Sequence, residues 1–456
     1  MSTEEKRSLT AREAAVKMLL AVCRDKQFSH VVKGMYLDKI EEKRERALAT
    51  RLFEGCLERL LELDYIIDSF SKTPVRKMKP VIAAILRMTV YQLRFMDKIP
   101  AGAACNEAVK LAKKYGFAGL SGFVNGVARN IARAEAIPYP DERKGVLRYL
   151  SVRYSMPEAL TEQMLAQYGR EITETVFTEF LRAEKEVFVR CMEKSTSVEY
   201  LKKSLQDADV IVNDGFYSEQ ALRLSGIDTP ERLPGFAEGL FYIQDESSMQ
   251  AVAAAGLSGN ERVLDLCAAP GGKTMMAADI LSCLGNGTVE ARDLTDGKTA
   301  LLNENKDRCR MTNVFVRKAD ATVFRSEDEE KFDVVLADVP CSGLGIIGKK
   351  PDIKLFMTPE QEQELCELQK KILGNAVRYV KPDGVLVFST CTLNKEENMG
   401  GYRFLKEECG MMPESLEPFV SEKLRTDSVK DGWLQMIPGI HHTDGFFVAR
   451  FRKSMR

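Results

Sequence analysis

From about Gly239 to the C-terminus, short β-rich runs alternate with helical stretches, and this alternation limits the possible folds more than any other feature of the chain. The β-rich runs are RVLDL, TVEAR, VFVRK, DVVLAD, VLVFS and FFVARF, and patterns such as MMAADILSCL lie between them. Strands and helices that alternate in this way form a largely parallel sheet with helices on both faces, which binds ligands at the carboxyl ends of its strands. The sequence therefore predicts an α/β domain over residues 241–456.

The N-terminal region, residues 9–134, has apolar residues at helical spacing, which predicts an all-helical domain over residues 1–138. One face of the run VIAAILRMTVYQLRFM collects Ile82, Ile85, Leu86, Leu93 and Met96. Arg87 and Arg94 lie on the opposite side, just after the basic cluster RKMK at positions 76–79. We therefore expect one end of this domain to carry positive charge.

The middle of the chain mixes both patterns. Pro138 and Pro140 interrupt the helical spacing and predict a linker. Residues 146–240 then combine the helical run ALTEQMLAQYG with the strand-like pieces VFVRCM and DVIV. This composition predicts a small α+β domain over residues 145–240.

Charge is distributed unevenly along the chain, although the net charge is only -1. Residues 1–140 contain 25 Lys and Arg against 16 Asp and Glu, a net +9, whereas the remainder contains 41 against 51, a net -10. A basic domain on an otherwise acidic protein is typical of a phosphate-binding module. A solvated, lysine-rich helical surface is the alternative.

Composition excludes several classes of protein. The opening MSTEEKRSLTAREAAVKM lacks the apolar core of a signal peptide, and no later apolar run reaches the roughly 18 residues of a membrane span, so a cytoplasmic protein is expected. The 11 cysteines show no CxxC spacing, and the histidines are His30, His441 and His442. We therefore expect reduced cysteines and no metal.

The run V-L-D-L-C-A-A-P-G-G-K-T, residues 263–274, is the strongest local motif. An apolar strand enters a Pro-Gly-Gly turn and then a helix, so backbone amides can approach a nucleotide-like ligand without side-chain obstruction. The glycine spacing matches neither the dinucleotide fingerprint nor the ATP-binding P-loop. A purely structural turn is the alternative.

Three carboxylates follow successive strands of the predicted sheet. Asp293 stands 22 positions after Gly271, where nucleotide-binding folds place a ribose ligand, Asp320 follows the third strand, and Asp338 ends the fourth. Each of them alone is more often a helix cap or a loop carboxylate. Together they predict a nucleoside site.

Two cysteines occupy the same predicted edge. Cys341 follows the fourth strand and Cys391 follows the fifth. A single cysteine there is usually a small buried apolar residue. The presence of two cysteines beside Asp338 instead favours a chemically reactive site.

CAAPGGKT, DVPCSGLG, KKPDIK and STCTLNKEEN together resemble the motifs of the RNA 5-methylcytosine methyltransferases, in particular the bacterial 16S rRNA group. That group joins a helical domain similar to NusB to a Rossmann-like class I methyltransferase domain, and NEAVKLAKKYG with GFVNGVARNI, residues 106–131, resembles the NusB-like part. The resemblance implies three domains: an all-α NusB-like domain, a small α+β domain and an α/β catalytic domain. It also implies an RNA partner, most simply 16S rRNA, and we expect a monomer.

The resemblance also implies roles for individual residues. Cys391 matches the nucleophile, Cys341 the cysteine that assists release of the methylated base, and Asp338 a residue that helps activate cytosine. S-adenosyl-L-methionine, which leaves as S-adenosyl-L-homocysteine, would contact Cys267, Ala268, Ala269, Pro270, Gly271, Gly272, Lys273, Asp293, Asp320 and Asp338. Gln244 and Asp245, in YIQDESS, resemble a stretch near the cofactor entrance.

Arg190-Cys191-Met192 departs from the Arg-Val-Asn common in relatives, which puts an RNA contact there in doubt. Lys298 stands where arginine is common, and Asp293 is a better ribose ligand than Asp296.

The implied chemistry suits these residue types. Carbon 5 of cytosine is a weak nucleophile, so a thiolate must first add to carbon 6. Asp338, protonated or sharing a proton with the ring nitrogen, would stabilise the charge that develops there. Three other readings are a binding protein with an inactive catalytic domain, a methyltransferase acting on a base nitrogen, and a nicotinamide-dependent oxidoreductase. The intact cysteines oppose the first, Asp-Val-Pro-Cys opposes the second, and the glycine spacing opposes the third.

Overall fold

The computed structural model describes residues 9–182, 186–227 and 229–455, so the first eight residues of the predicted helical domain lie outside it. The chain divides into two compact units. One comprises residues up to 181 together with 347–356, and the other comprises the remainder. The boundaries expected from the sequence, at 138, 145 and 241, stay a prediction.

The helices follow one another along the chain with these bounds. They are α1 (Ala11–Cys23), α2 (Ser29–Leu37), α3 (Lys43–Glu58), α4 (Leu60–Phe70), α5 (Pro80–Phe95), α6 (Ala101–Lys114), α7 (Ser121–Arg133), α8 (Val146–Arg153), α9 (Glu158–Phe180), α10 (Val198–Gln206), α11 (Glu246–Ala253), α12 (Gly272–Leu284), α13 (Asp296–Arg308), α14 (Ile353–Phe356), α15 (Pro359–Tyr379), α16 (Lys395–Arg403) and α17 (Asp427–Lys430). Among the described residues, none of these helices is both long enough and apolar enough to cross a membrane.

The strands belong to two sheets. They are β1 (Val187–Cys191), β2 (Ile211–Asp214), β3 (Ala221–Ser225), β4 (Phe241–Ile243), β5 (Arg262–Asp265), β6 (Thr288–Asp293), β7 (Val314–Lys318), β8 (Phe332–Asp338), β9 (Val380–Thr390), β10 (Met412–Pro413), β11 (Trp433–Met436) and β12 (Phe446–Arg452).

The first unit is built from helices, as the periodicity predicts. Helix α5 begins at Pro80, where proline's missing amide costs nothing, and its predicted apolar face packs into the unit's core. The two arginines opposite that face have structural roles. Arg87 forms a two-pronged ion pair with Asp64, with N···O distances of 2.6 and 2.7 Å, and Arg94 donates to the carbonyls of Ile131 and Ala134.

Residues 347–356, which include the motif KKPDIK, belong to this helical unit although they lie between β8 and α15 in the chain. The buried Asp352 carboxylate accepts hydrogen bonds from the Ser29 amide, at 3.0 Å, and hydroxyl, at 2.6 Å. Lys354, also buried, donates to the Glu58 carbonyl at 2.5 Å. Buried charged groups need such partners, so these bonds secure the segment.

The smaller sheet has the order β2-β3-β1-β4, and its neighbouring strands are antiparallel. The predicted piece VFVRCM supplies β1, whereas β2 begins only at the third residue of DVIV, Ile211. Arg190 is 1% exposed and pairs with Asp279 of α12 at 2.8 Å, while Cys191 and Met192 are fully buried. These three residues therefore stabilise the interior of the second unit, and none of them is available as an RNA contact.

The larger sheet confirms the predicted α/β pattern, with all six β-rich runs as strands. Its order is β10-β12-β9-β8-β5-β6-β7, with β11 beside β12. The strands from β9 to β7 are parallel, whereas β12 runs antiparallel to β9. The carboxyl ends of β5, β6, β8 and β9 consequently meet at one edge, where the predicted site residues lie.

Candidate active site

The turn between β5 and α12 forms one wall of a cavity of about 170 Å³. Gly271 caps the helix with φ +115°, a conformation that side-chain-bearing residues rarely adopt. Of the predicted cofactor residues, 267–270, Gly272, Lys273 and Asp338 line the cavity. Residues 242–245, Ser248 and Asp265 complete it.

Two acceptors in this cavity lack hydrogen-bond partners. Asp265 Oδ1 and Gln244 Oε1 are buried without a donor, whereas Asp265 Oδ2 accepts from the Thr274 hydroxyl at 2.7 Å. Burial raises the pKa of Asp265 to about 7, against the opposing effects of Thr274 and Lys273. Buried acceptors without partners are costly, so the cavity suits a ligand that supplies N–H or ammonium donors. The amino-acid and adenine groups of S-adenosylmethionine are such donors.

Asp293, at the end of β6, is buried and organises the turn. Its carboxylate accepts the amides of Ala269, at 2.9 Å, and Leu294, at 2.7 Å, and pairs with Lys298 at 3.0 Å. Asp296 is exposed and pairs with Lys318. Asp293 thus stands beside the turn, as expected of a ribose ligand, although it does not line the cavity itself.

Asp320 follows β7 in an exposed loop. Its carboxylate accepts the amide and hydroxyl of Thr322, at 2.8 and 2.7 Å, and these bonds hold its pKa below the usual value. It is outside the set of residues that line the cavity. Its predicted contact with the cofactor therefore stays a prediction.

Asp338 and Lys273, which both line the cavity, form an ion pair. The Nζ of Lys273 lies 2.6 Å from Asp338 Oδ2, and the Ser389 hydroxyl donates to Asp338 Oδ1 at 2.7 Å. Burial disfavours the charge of Lys273, but Asp338 outweighs it and raises the lysine's pKa. Lys273 also lies within electrostatic range of Cys391. The site therefore holds a paired cation within electrostatic range of a thiol.

Cys341 and Cys391 are brought together in the same region. Their Sγ atoms are 3.3 Å apart, and both residues are partly exposed. The hydrogen bond to Cys391, followed by burial, raises the pKa of Cys341 well above its usual value. Cys341 is therefore a thiol, and its S–H can donate to the sulfur of Cys391.

The loops that carry the two cysteines are joined by residues to which the sequence analysis assigned no role. Glu397, buried on α16, accepts the Ser342 amide at 2.9 Å and the Ser342 hydroxyl. That hydroxyl also lies 2.6 Å from the hydroxyl of Thr392. Ser342 and Thr392 each follow a cysteine, so Glu397 holds the two loops in one arrangement. The sequence signal was present, because these residues belong to the quoted motifs DVPCSGLG and STCTLNKEEN.

A close backbone approach adds to this arrangement. The Gly345 amide donates to the Cys391 carbonyl at 3.0 Å, and the Gly445 amide donates to the Gly345 carbonyl at 2.9 Å. A Cβ on Gly345 would lie 2.8 Å from the Cys391 carbonyl oxygen and even closer to that of Gly445. Glycine is therefore required at position 345.

Comparison with known proteins agrees with this geometry. Residues 253–452 match the family described as 16S rRNA methyltransferase RsmB/F, and residues 9–133 match the NusB family. The "Probable ribosomal RNA small subunit methyltransferase B" of Bacillus subtilis is 35% identical over 97% of this chain and 99% of its own length. The protein of the same description from Synechocystis is 33% identical over 98% of this chain and 100% of its own. The crystal structure of PH0851 shares the fold, with TM-score 0.80 and 24% identity over 98% of this chain and all of that one.

The domain has a parallel sheet extended by antiparallel strands at one side, and its cavity lies at the turn between β5 and α12. These features define a Rossmann-like methyltransferase domain. A NusB-type helical domain precedes it in the chain. The two relatives are more than 30% identical to this chain over nearly its full length, which makes the family assignment more specific. The chain belongs to the 16S rRNA methyltransferase RsmB/F family, a family of ribosomal RNA small-subunit methyltransferases.

Proposed function

We propose that this protein transfers a methyl group from S-adenosyl-L-methionine to carbon 5 of a cytidine in 16S rRNA through a covalent adduct with Cys391. The observation that carries the proposal is the pair of thiols 3.3 Å apart. The Lys273–Asp338 ion pair is within electrostatic range of them, since Lys273 interacts with Cys391 and Asp338 with Cys341. Methylation of a base nitrogen would require no such pair of sulfurs.

Cys391 is the nucleophile in this proposal. Its sulfur, as the thiolate, forms a bond to carbon 6 of the base, which makes carbon 5 electron-rich. The Lys273 ammonium lies within electrostatic range of that sulfur, and the Cys341 sulfur lies 3.3 Å from it. Asp338, at the carboxyl end of the neighbouring strand, shares a proton with the ring nitrogen of the base.

Cys341 acts after methyl transfer. The proton on carbon 5 must leave before the bond between carbon 6 and sulfur breaks and frees Cys391. The largest cause of the raised pKa of Cys341 is its hydrogen bond to Cys391. That bond is weakened once the Cys391 sulfur is bonded to carbon 6. Cys341 then loses its own proton to water and, as the thiolate, accepts the proton of carbon 5, which restores the thiol; alternatively, it positions the water that takes this proton.

The methyl donor would be held by the β5–α12 turn and the cavity beside it. S-adenosylmethionine supplies an electrophilic methyl group on a sulfonium. Asp265 and Gln244 would accept hydrogen bonds from its donors, because each has a buried oxygen without a partner. Asp293 stands beside the turn where a ribose would lie.

RNA binding would fall to the domains that precede the catalytic domain, residues 1–138 and 145–240. In the first of these, Arg76, Lys77 and Lys79 are exposed. Such side chains contact phosphates in a manner that weakens with salt. The target base must leave its stack to reach Cys391, and the proposed reaction takes place in the cytoplasm.

Bisulfite sequencing of 16S rRNA from a deletion strain and its parent tests the proposal, since it reports both the base and its position. One cytidine should lose protection in the deletion strain and regain it with the intact gene, but not with Cys391→Ala. An unchanged protection pattern across 16S rRNA would rule out this function.

A further inference from the structure

The adjacent histidines His441 and His442 lie in the loop between β11 and β12 and have no part in the proposed chemistry. The His441 carbonyl accepts the Tyr217 hydroxyl at 2.8 Å. His442 is exposed and has φ +54°, a conformation uncommon for residues other than glycine. Its ring stacks on that of Phe216, with 5.1 Å between centroids and 29° between planes.

Both the ring and the backbone of Phe216 make contacts with neighbouring residues. The guanidinium carbon of Arg223 lies 4.0 Å from the centroid of the Phe216 ring, and Arg223 is paired with Glu186 at 3.0 Å. The carboxylate of Glu246, which is fully buried, accepts the amides of Phe216, Tyr217 and Ser218 at 2.7, 2.8 and 2.8 Å. Contacts within the protein therefore hold both the backbone and the ring of Phe216 in place without a ligand.

The stack is close to the candidate active site. Asp245, the neighbour of Glu246, lines the cofactor cavity and accepts the Asp444 amide at 3.2 Å. Gly445 is three positions after His442, and consecutive Cα atoms lie about 3.8 Å apart. Gly445 bonds to Gly345, whose amide bonds to the Cys391 carbonyl. One loop thus connects His442 with both the cavity and the nucleophile.

The chemistry of the stack indicates what it would contact. His442 is exposed, and its ring is stacked on that of Phe216. A flat, pre-ordered aromatic face is the surface on which proteins stack unpaired bases, and pre-ordering lowers the entropic cost of binding. The charged residues that line the adjoining groove are Glu193, Glu199, Asp214 and Glu219, with Lys423 as the one cation among its described lining residues. The excess of negative charge disfavours a phosphate there and favours contact through an uncharged base.

We propose that His442, supported by Phe216, is a stacking platform for an unpaired nucleobase that flanks the target cytidine. The inference rests on the proposed function. It also gives the Asp245–Glu246 pair a role, since these neighbouring carboxylates hold the two halves of the platform beside the cofactor cavity.

The test uses the full-length protein and an RNA oligonucleotide centred on the cytidine that bisulfite sequencing identifies. His442→Ala removes the exposed ring, His442→Phe retains a flat ring, and Ile440→Ala is the matched control, because Ile440 is 45% exposed in the same loop. We expect His442→Ala to raise the KM for RNA by about 5- to 150-fold, with the KM for S-adenosylmethionine unchanged. His442→Phe and Ile440→Ala should remain near the wild-type value.

Abasic sites placed singly on either side of the target complete the experiment. In the wild-type protein, one of these positions should raise the KM for RNA by a similar factor, and in His442→Ala the same abasic site should add nothing, because both changes remove one contact. The platform is refuted if His442→Ala equals Ile440→Ala, or if every abasic site has the same effect on both proteins. Failure of the wild-type protein to methylate the intact oligonucleotide would instead overturn the proposed function.

Discussion

The sulfur atoms of Cys341 and Cys391 lie 3.3 Å apart although 50 positions separate the residues in the chain. Each cysteine follows one of two neighbouring parallel strands, β8 and β9, whose register places Asp338 opposite Ser389. Glu397 then ties the residues that follow the two cysteines to one another. The distance between the sulfurs is therefore set by strand pairing and by one buried carboxylate.

Replacing the proposed nucleophile separates cofactor binding from catalysis. Cys391→Ala should lower methyl transfer by at least roughly 10³-fold, because the group proposed to form the bond to carbon 6 is removed. Its affinity for S-adenosylmethionine, measured by calorimetry, should stay within about twofold of the wild type. Cys283→Ala is the control, as Cys283 is an exposed cysteine on α12. Normal turnover by Cys391→Ala would refute the assignment.

Replacing the second cysteine should stop the reaction after methyl transfer. Without the proton acceptor at carbon 5, Cys341→Ala should accumulate a covalent protein–RNA adduct, seen as a shifted band on a denaturing gel. The double variant Cys341→Ala/Cys391→Ala should give no such band. If Cys341→Ala turns over with only free RNA present, the cysteine has no part in release.

The buried carboxyl of Asp265 should make stability depend on pH in the absence of cofactor. Its pKa is about 7 in the folded protein, against 3.8 for the ordinary group. Since the folded pKa is the higher one, the contribution is fully present below about pH 4 and is lost as the pH rises to about 7. The slope is at most about 1.4 kcal/mol per pH unit.

Urea unfolding of wild-type protein and Asp265→Asn at pH 5, 6, 7 and 8 measures this effect. The free energy of unfolding of the wild type, relative to that of Asp265→Asn, should fall up to about pH 7 and then level off. Asp307→Asn, at an exposed position of α13, serves as the control. A difference between wild type and Asp265→Asn that does not change with pH would contradict the raised pKa.

The exposed basic cluster of the helical unit should contribute to RNA affinity. Replacing Arg76, Lys77 and Lys79 together with glutamine should raise the KM for RNA several-fold at low salt and reduce the salt dependence, because up to three phosphate contacts are lost. Neutralising three exposed lysines of the catalytic domain, Lys331, Lys371 and Lys406, is the matched control. Equal effects of the two triple variants would mean that the cluster is an ordinary solvated surface.

Periodicity alone was sufficient for much of the fold. All six β-rich runs are strands of the larger sheet, and the apolar face of α5 packs into the helical core. The positions of Cys341 and Cys391 after neighbouring strands likewise predicted their proximity. The opposite face of α5 was less informative, because spacing does not distinguish an arginine in solvent from Arg87, which is paired with Asp64.

The sequence by itself determined the types of element, their order, the turn after β5 and the residues that end each strand, since these depend on local spacing and backbone preference. Only the tertiary structure decided which distant groups meet. It brought together the hydrogen-bonded pair Asp352 and Ser29, the ion pair Arg190 and Asp279, and the stacked rings of His442 and Phe216. It set Glu397 between the two cysteine loops. It also left an oxygen of Asp265 buried without a donor. Such contacts join residues up to hundreds of positions apart, and they follow from how whole elements pack, which no local pattern encodes.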